Sequence, residues 1–137
     1  MDREASDDEI GQLLKSAHTI AVVGLSSSKM RPSYGVAEYL QRAGYKIIPV
    51  NPNEATILGE RAVARLEDIR EKVDIVDVFR RSEFVPEVAE SAVAIGAKAL
   101  WLQEGVIHEE AAQRARDVGL FVVMDLCILK EHAKRFR

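Results

Sequence analysis

Five short apolar runs recur along the chain and predict five buried β-strands. They span residues 18–25, 45–50, 73–79, 97–103 and 119–124. The runs are rich in Val, Ile and Leu, and most are continuous instead of alternating between apolar and polar residues. Continuous apolar runs are typical of strands that are buried on both faces, as they are in a parallel sheet.

Helical patterns fill most of the gaps between these runs. Apolar residues recur there at the spacing of one helix face: Val36, Leu40 and Ala43; Val85, Val88, Ala89, Ala92 and Val93; Ala111, Ala112, Ala115 and Val118. Gly44, Gly96 and Gly119 follow these patterns, at the position where a left-handed residue ends a helix. We expect a leading helix over 6–16 and a trailing one over 128–136, whereas 51–72 begins as a turn and ends in a short helix around Leu66 to Arg70.

Strands that alternate with helices predict βαβ units, right-handed crossovers and a parallel sheet. The fold class predicted for the chain is therefore α/β, as a Rossmann-like, doubly wound, five-stranded parallel sheet with helices on both faces. Counted in chain order, the strand order expected from this class is 3-2-1-4-5, which places the third strand beyond the second. Because the chain has 137 residues and no linker or repeat, we expect a single domain over 1–137.

Composition narrows the class of protein. The chain is 47% hydrophobic and 30% charged, and its net charge of −3 gives no overall attraction for nucleic acid or an anionic membrane. The one cysteine, Cys127, cannot form an intramolecular disulfide and suits a reducing compartment. No apolar run approaches the ~20 residues that span a bilayer, and the acidic first residues do not resemble a signal peptide. We therefore expect a cytoplasmic protein with a small-molecule ligand, and neither a nucleic-acid nor a membrane partner.

The loop after the first strand is the leading candidate site, because ligands of such sheets bind beyond the carboxyl ends of the strands. Gly24 allows a ligand to approach the backbone, and serine hydroxyls before a helix N-terminus can donate to phosphate oxygens. The loop adds two full charges, Lys29 and Arg31. Pro32 suits a first helical position and Ser33 an N-cap. The alternative is a polar loop with two solvated cations.

The exits of the other strands add polar residues. The second strand ends at Asn51 and Pro52, where a NAD-binding fold normally carries an acidic residue for the ribose hydroxyls. The third ends at Phe79, Arg80 and Arg81, although both arginines could instead form ion pairs with Glu83 and Glu87. The fourth ends at Gln103, Glu104 and Gly105. Four cations at one edge of an acidic protein fit a ligand with several phosphates.

Candidate catalytic groups are few, and we predict no catalytic residue and no metal site. His18, His108 and His132 fall where surface or capping roles are expected. Cys127 follows the fifth strand without a histidine that the sequence pairs with it. Glu104 and Asp125 could face one another across two strand exits, or each could cap the helix that follows.

Several blocks of the sequence resemble the small, single-domain coenzyme A-binding proteins, which are similar to the N-terminal domain of the succinyl-CoA synthetase α-subunit. The blocks are VVGLSSSKMRPSYGVAEYLQRAGYKIIPVNPN, VDIVDVFRRSEFVPEV, ALWLQEGV and VVMDLCILKEH. The family fold is Rossmann-like, in agreement with the pattern above. The second synthetase domain, which carries a phosphorylated histidine, is not matched, so we expect no acyl-CoA synthetase activity from this chain by itself.

The resemblance also implies the ligand, coenzyme A, and its contacts. The loop and the helix start after it would bind the phosphates, through Gly24, Leu25, Ser26, Ser27, Ser28, Lys29, Arg31, Ser33 and Tyr34. Asn51, Pro52, Phe79, Arg80 and Arg81 would shape the adenosine side, and Gln103, Glu104 and Gly105 would lie near the pantetheine. Leu126 departs from the basic residue that relatives often carry before the cysteine.

The hypothesis that the sequence favours is a protein that binds coenzyme A, or a short acyl-CoA, without catalysis of its own. The first alternative is an NAD(P)-dependent oxidoreductase. The second is a CoA-responsive regulatory or scaffold protein that acts on a partner enzyme. The third is CoA-linked redox sensing through Cys127.

Overall fold

The computed structural model describes residues 4–136, which form one five-stranded parallel sheet between two layers of helices. In chain order the elements are α1 (Asp7–Ser16), β1 (Thr19–Val23), α2 (Pro32–Arg42), β2 (Lys46–Val50), β3 (Thr56–Ile57), β4 (Glu60–Arg61), β5 (Ile75–Val78), α3 (Val85–Ala94), β6 (Ala99–Leu102), α4 (Glu109–Asp117), β7 (Phe121–Val123) and α5 (Ile128–Arg135). The predicted α/β, Rossmann-like class with a five-stranded parallel sheet is confirmed.

The two faces of the sheet bury separate apolar cores. On one face, α3 and α4 pack through Val88, Ala92 and Ala112 against strand residues such as Val76. On the other, α1, α2 and α5 contribute Leu14, Leu40 and Ile128 against Val22 and Trp101. Alternate residues of each strand therefore face different cores, which explains why the strand runs are apolar at nearly every position.

The position of the third predicted strand differs from the expected one. The order of the sheet is β2-β1-β5-β6-β7, so β5 pairs with β1 instead of lying beyond β2. Counted over the five sheet strands this is 2-1-3-4-5. The arginines after β5 thus lie beside the loop that follows β1, and the point where the strand order reverses falls between these two strands.

A small hairpin lies between β2 and β5. Residues 51–72 contain β3 and β4, which pair antiparallel, in place of the crossover helix found elsewhere in the chain. After β4, Val63 lies along the outer edge of β2: its amide donates to the Pro49 carbonyl at 3.0 Å, and its carbonyl accepts from the Asn51 amide at 2.8 Å. The carboxyl half of that edge, where the third strand was expected, is therefore already hydrogen-bonded.

Helix starts follow local signals, with one correction. Ser6 and Glu9 form a capping box at α1. Pro32 is the first residue of α2 as expected, but Arg31 is its N-cap and Ser33 lies inside the first turn. The short helix expected near Leu66 is a single 3₁₀ turn, Leu66–Asp68. Over residues 4–136, no helix is long and apolar enough to cross a membrane.

Candidate ligand-binding site

A cleft of about 560 Å³ opens at the carboxyl edge of the sheet, where β1, β2, β5 and β6 end. This volume lies within the range of small-molecule sites. The cleft brings together many of the residues predicted from the sequence and some that were not. Its lining comprises Gly24, Ser26, Arg31, Pro32, Ser33, Val36, Asn51, Phe79, Gln103, Glu104, Val106 and Cys127.

Gly24 is where β1 and β5 approach most tightly at this edge. Its φ of 86° lies in the left-handed region. A Cβ at this position would overlap the carbonyl oxygen of Phe79 and stand 3.2 Å from Cδ of Arg80. The backbone conformation and the neighbouring strand therefore both exclude a side chain, which brings the backbone of the loop and the arginines after β5 together.

Serine side chains hold the loop in place. The Ser33 hydroxyl, buried in the first turn of α2, accepts from the Ser26 amide at 3.1 Å. The Ser26 and Ser28 hydroxyls accept from the Ser28 and Met30 amides at 3.0 and 3.3 Å. Each of these three hydroxyls uses its oxygen as the acceptor, so its hydrogen remains available to donate to another group.

Asn51 joins the end of β2 to the same loop. Its Nδ2 donates to the Leu25 carbonyl at 2.9 Å, and its Oδ1 accepts from the Asn53 amide at 2.8 Å. Both ends of the amide are thus engaged within the protein. Leu25 itself is fully buried in the core, so its side chain does not reach the cleft.

Four cations lie on the loop after β1 and at the exit of β5, and of these four Arg31 lines the cleft. Within residues 4–136, no ion pair with a carboxylate involves Lys29, Arg31, Arg80 or Arg81. The alternative in which Arg80 and Arg81 pair with Glu83 and Glu87 is therefore not observed. Their guanidinium carbons instead lie 4.2 and 5.5 Å from the ring centroid of Phe84. This arrangement keeps both charges at the carboxyl edge and available to an anion.

The polar residues that follow β6, unlike the four cations, have polar partners within the described chain. Gln103 is only 5% exposed, and its Oε1 accepts from the Ile128 amide at 3.2 Å. Glu104 forms an ion pair with Lys130 at 3.2 Å, and the Gly105 amide donates to Oδ1 of Asp125 at 2.7 Å. Glu104 and Asp125 are thus engaged by different partners and do not form an acid–base pair with each other.

The remaining predicted residues lie around the cleft and do not line it. Ser27, Ser28 and Lys29 are exposed on the outer side of the loop, where the Ser27 hydroxyl donates to Oε2 of Glu54 at 2.6 Å. Tyr34 is half-buried against the α2 side of the core. Pro52 and Arg81 are exposed. Of the predicted set, the loop and the exits of β2, β5 and β6 are brought together, although not every side chain faces inward.

One polar residue near this edge was not predicted. Asp77 is fully buried in β5, in register with Val22 of β1 and Trp101 of β6, and both its carboxylate oxygens lack a hydrogen-bond partner in the described chain. The next residues along these three strands on the same face, Gly24, Phe79 and Gln103, line the cleft. Burial raises the pKa of Asp77 well above its usual range. The available signal was a single charged residue inside an otherwise apolar strand.

The three histidines lie away from the cleft. His108 caps α4, since its Nδ1 accepts from the Ala111 amide at 3.1 Å. His132 lies on α5, where the Tyr39 hydroxyl is 2.9 Å from its Nδ1 and burial lowers its pKa. His18 precedes β1 at the opposite edge of the sheet. None of these imidazoles is among the residues that line the cleft.

Comparison with known proteins identifies the family of the chain. Residues 18–133 match the family model described as a CoA binding domain. The chain belongs to this CoA-binding family. The family expected from the sequence blocks is thus confirmed. The match spans every strand of the sheet, since β1 begins at Thr19 and β7 ends at Val123.

Relatives and solved structures extend the comparison. The chain is 47% identical to the protein YneT of Bacillus subtilis (strain 168) over 128 residues, which is 93% of this chain and 95% of YneT. A structure from Thermus thermophilus is 37% identical with a TM-score of 0.92, and the match covers 96% of this chain and all of that one. A dinucleotide-forming acetyl-coenzyme A synthetase 1 of Ca. Korarchaeum cryptofilum shares the fold, with 24% identity and a TM-score of 0.68 over 76% of this chain and 25% of that one.

Proposed function

We propose that this protein binds coenzyme A, free or as a short acyl-CoA, in the cleft at the carboxyl edge of the sheet and catalyses no reaction of its own. The observation that carries the proposal is the group of four cations, Lys29, Arg31, Arg80 and Arg81, that no carboxylate of the described chain neutralises. Coenzyme A carries a diphosphate and a separate 3′-phosphate, so two pairs of cations match its charge.

The start of α2 supports a phosphate site at the loop. The first turns of α1 and α4 contain acidic residues, and side chains cap both helices. The first turn of α2 contains no acidic residue, and its N-cap Arg31 makes no side-chain capping hydrogen bond. Free amides at a helix N-terminus favour an anion, and the positive charge of Arg31 adds to that field. The start of α2 therefore differs from those of α1 and α4 in the two respects that favour phosphate binding, its uncapped amides and the absence of an acidic residue from its first turn.

The β6 side of the cleft suits the uncharged part of the ligand. Val106 and Val36 supply apolar surface there, and Gln103 supplies an amide. The cations lie at the exits of β1 and β5, whereas the Glu104 charge is compensated by Lys130. We therefore assign the phosphates to the loop and the arginines, and the pantetheine to the surface between Gln103 and Cys127.

The residues on which the NAD-binding and scaffold alternatives depend make contacts within the protein. Both polar groups of Asn51 make hydrogen bonds that hold the loop and the turn after β2, and its amide lacks the negative charge of the acidic residue that binds ribose hydroxyls in a NAD-binding protein. The terminal helices, which were the basis of the scaffold hypothesis, pack on the core through Ile10 and Ile128, and Arg135 of α5 pairs with Asp7 of α1 at 3.1 Å.

Isothermal titration of the protein with coenzyme A, 3′-dephospho-CoA and NAD tests the proposal. We expect coenzyme A to bind more tightly than 3′-dephospho-CoA, because the latter lacks one phosphate, and NAD to bind most weakly. Affinity should fall as salt is added, since exposed charges are screened. Absence of heat with coenzyme A, or equal affinity for NAD, would contradict the proposal.

The non-catalytic part of the proposal has its own test. Incubation with acetyl-CoA, followed by titration of free thiol, should show no release of coenzyme A above the rate without protein. Release that depends on the protein concentration would show that the cleft hydrolyses thioesters, and this part of the proposal would then be wrong.

A further inference from the structure

The segment around Cys127 is fixed by two side chains of β6. Trp101, which is fully buried, donates from Nε1 to the Leu126 carbonyl at 2.9 Å. Gln103 accepts at Oε1 from the Ile128 amide at 3.2 Å. The peptide groups on both sides of Cys127 are thus held by the strand beneath them. Cys127 is 9% exposed and lines the cleft, so its thiol is held at a fixed place in the cleft wall.

Gln103 provides an independent sign that a ligand reaches this end of the cleft. The residue is 95% buried, yet nothing in the described chain accepts a hydrogen bond from its Nε2. Its Oε1 accepts from Ile128. Nε2 is not fully buried, unlike the unpaired side-chain oxygens of Asp77 and Gln113. The Nε2 donor therefore remains accessible at the cleft, beside Cys127, where a carbonyl or amide oxygen of a ligand can accept from it.

We propose that Cys127 is a site of covalent modification that exchanges with the disulfide form of the ligand and retains one coenzyme A as a mixed disulfide. This inference rests on the proposed function, since the cleft must first recognise coenzyme A. The Cys127 thiolate attacks one sulfur of coenzyme A disulfide; the new bond joins Sγ to that sulfur, and the other coenzyme A leaves as its thiolate. One disulfide is broken and one is formed, so no further oxidant is needed, and the proton of the Cys127 thiol goes to solvent.

Recognition of the phosphates makes this exchange selective. A thiol that is 9% exposed reacts slowly with reagents that meet it by chance, because the attacking sulfur needs access to the disulfide. A ligand held by Arg31 and the loop in the same cleft presents its sulfur at a high effective concentration. The loop and Cys127 thus act together: the first selects the molecule and the second forms the bond.

Mass spectrometry of the intact protein gives the direct test. The reduced protein is mixed with coenzyme A disulfide or with hydroxyethyl disulfide, and the fraction carrying one adduct is followed with time. We expect coenzyme A disulfide to modify the protein at least about tenfold faster than hydroxyethyl disulfide, because binding precedes exchange. Dithiothreitol should remove the adduct. In Arg31→Gln the preference should decrease, so that the ratio of the rate with coenzyme A disulfide to the rate with hydroxyethyl disulfide falls toward one.

A matched control moves the thiol out of the cleft. The double variant Cys127→Ser, Ala94→Cys carries its one thiol on an exposed residue at the end of α3, and it should react with the two disulfides at similar rates. If coenzyme A binds by calorimetry but Cys127 stays unmodified, or reacts equally with both disulfides, this inference is overturned and the proposed function stands. If coenzyme A neither binds nor is preferred, both are overturned.

Discussion

The polar groups at the two ends of the parallel sheet differ in whether they have partners within the described chain. At the amino end, the Asp74 carboxylate accepts from the His18 and Thr19 amides at 2.8 and 3.0 Å and lies 3.6 Å from Lys98. Lys46 pairs with Glu71 at 2.6 Å, and the Tyr45 hydroxyl donates to the Leu14 carbonyl. At the carboxyl end, by contrast, the four cations have no acidic partner, and the Asp77 carboxyl one row below has no hydrogen bond within residues 4–136.

This difference separates groups that stabilise the fold from groups that are available to a ligand. Buried polar groups are normally hydrogen-bonded, and an unpaired one lowers stability. The amino end follows this rule through contacts within the chain. The carboxyl end departs from it at Asp77, close to the point where the strand order reverses and to the cleft in which we propose that coenzyme A binds. The contrast predicts that removing a paired polar group at the amino end lowers stability, whereas removing an exposed cation at the carboxyl end lowers the affinity for the ligand.

The largest effect is expected from Gly24→Ala, which should lower the free energy of unfolding by about 3 kcal/mol, since strain at positive φ adds to overlap with the Phe79 carbonyl. Gly44→Ala is the matched control at the amino end. Its φ is also positive, but a Cβ there meets nothing within 4 Å, so we expect a loss of about 1 kcal/mol. Urea unfolding measures both. Equal losses would show that the close approach at Gly24 is unimportant.

Asp74→Asn should destabilise the protein by about 2 kcal/mol at neutral pH, because the carboxylate receives charge-assisted hydrogen bonds. Burial acts to raise the pKa of Asp74, but hydrogen bonds from the His18 and Thr19 amides, with Lys98 and Lys72 nearby, lower it overall from 3.8. A lowered pKa gives stability that is present above pH 3.8 and is lost as the pH falls through the pKa of the folded state. The difference from wild type should therefore narrow in acid, as followed by urea unfolding from pH 7 down to pH 3.

Asp77→Val should have the opposite sign and stabilise the protein by about 1–2 kcal/mol near neutral pH, because it removes an unpaired buried carboxyl. Burial raises the pKa of Asp77 above 3.8, so the folded state holds its proton at a pH where the unfolded chain has released it. Wild-type stability therefore decreases as the pH rises above about 4, and the variant should lack this contribution. A variant that is less stable than wild type at pH 7 would show that Asp77 has a partner that the contrast does not include.

The smallest effect on folding is expected from Arg31→Gln, which should leave the unfolding free energy within about 0.5 kcal/mol of wild type because the side chain is exposed and makes no ion pair. Its affinity for coenzyme A should fall about tenfold, as one phosphate contact is lost. Arg42→Gln, on the same helix at its other end, is the matched control and should bind as wild type does. Calorimetry on the three proteins distinguishes a local contact from a general effect of charge.

Much of the fold follows from local sequence signals. The five strand runs and the helices between them were predicted because Val- and Ile-rich runs alternate with helical patterns, and the helical patterns end at glycines such as Gly44 and Gly96, whose φ values of 107° and 73° favour that residue type. Residues 51–72 were not predicted as a hairpin, since β3 and β4 have two residues each and their turn is Leu58-Gly59, without an Asn-Gly or Asp-Gly signal. The order of the strands depends on tertiary pairing, which the local sequence patterns do not contain.

The sequence predicted the location of the candidate site better than it predicted the side-chain contacts there. Because the carboxyl ends of parallel strands meet at one edge, the loop after β1 and the arginines after β5 were expected at the same edge, although with the second strand outside β1 and the third strand beyond it. The sequence did not show that Leu25 is buried, that Glu104 pairs with Lys130, or that Arg80 lies over Phe84. These outcomes depend on side-chain packing between elements far apart in the chain. Asp77 shows the same limit, since a polar residue in an apolar run does not reveal whether a partner exists.

The segment around Val63 also affects where a strand of another molecule can pair with the sheet. With Val63 hydrogen-bonded beside Pro49 and Asn51, the carboxyl half of one outer edge of the five-stranded sheet is occupied. The opposite edge is β7, whose three residues pair only with β6 in the described chain. Strand addition between molecules, whether in a domain swap or in aggregation, is therefore limited at both edges, by the Val63 contact on β2 and by the shortness of β7.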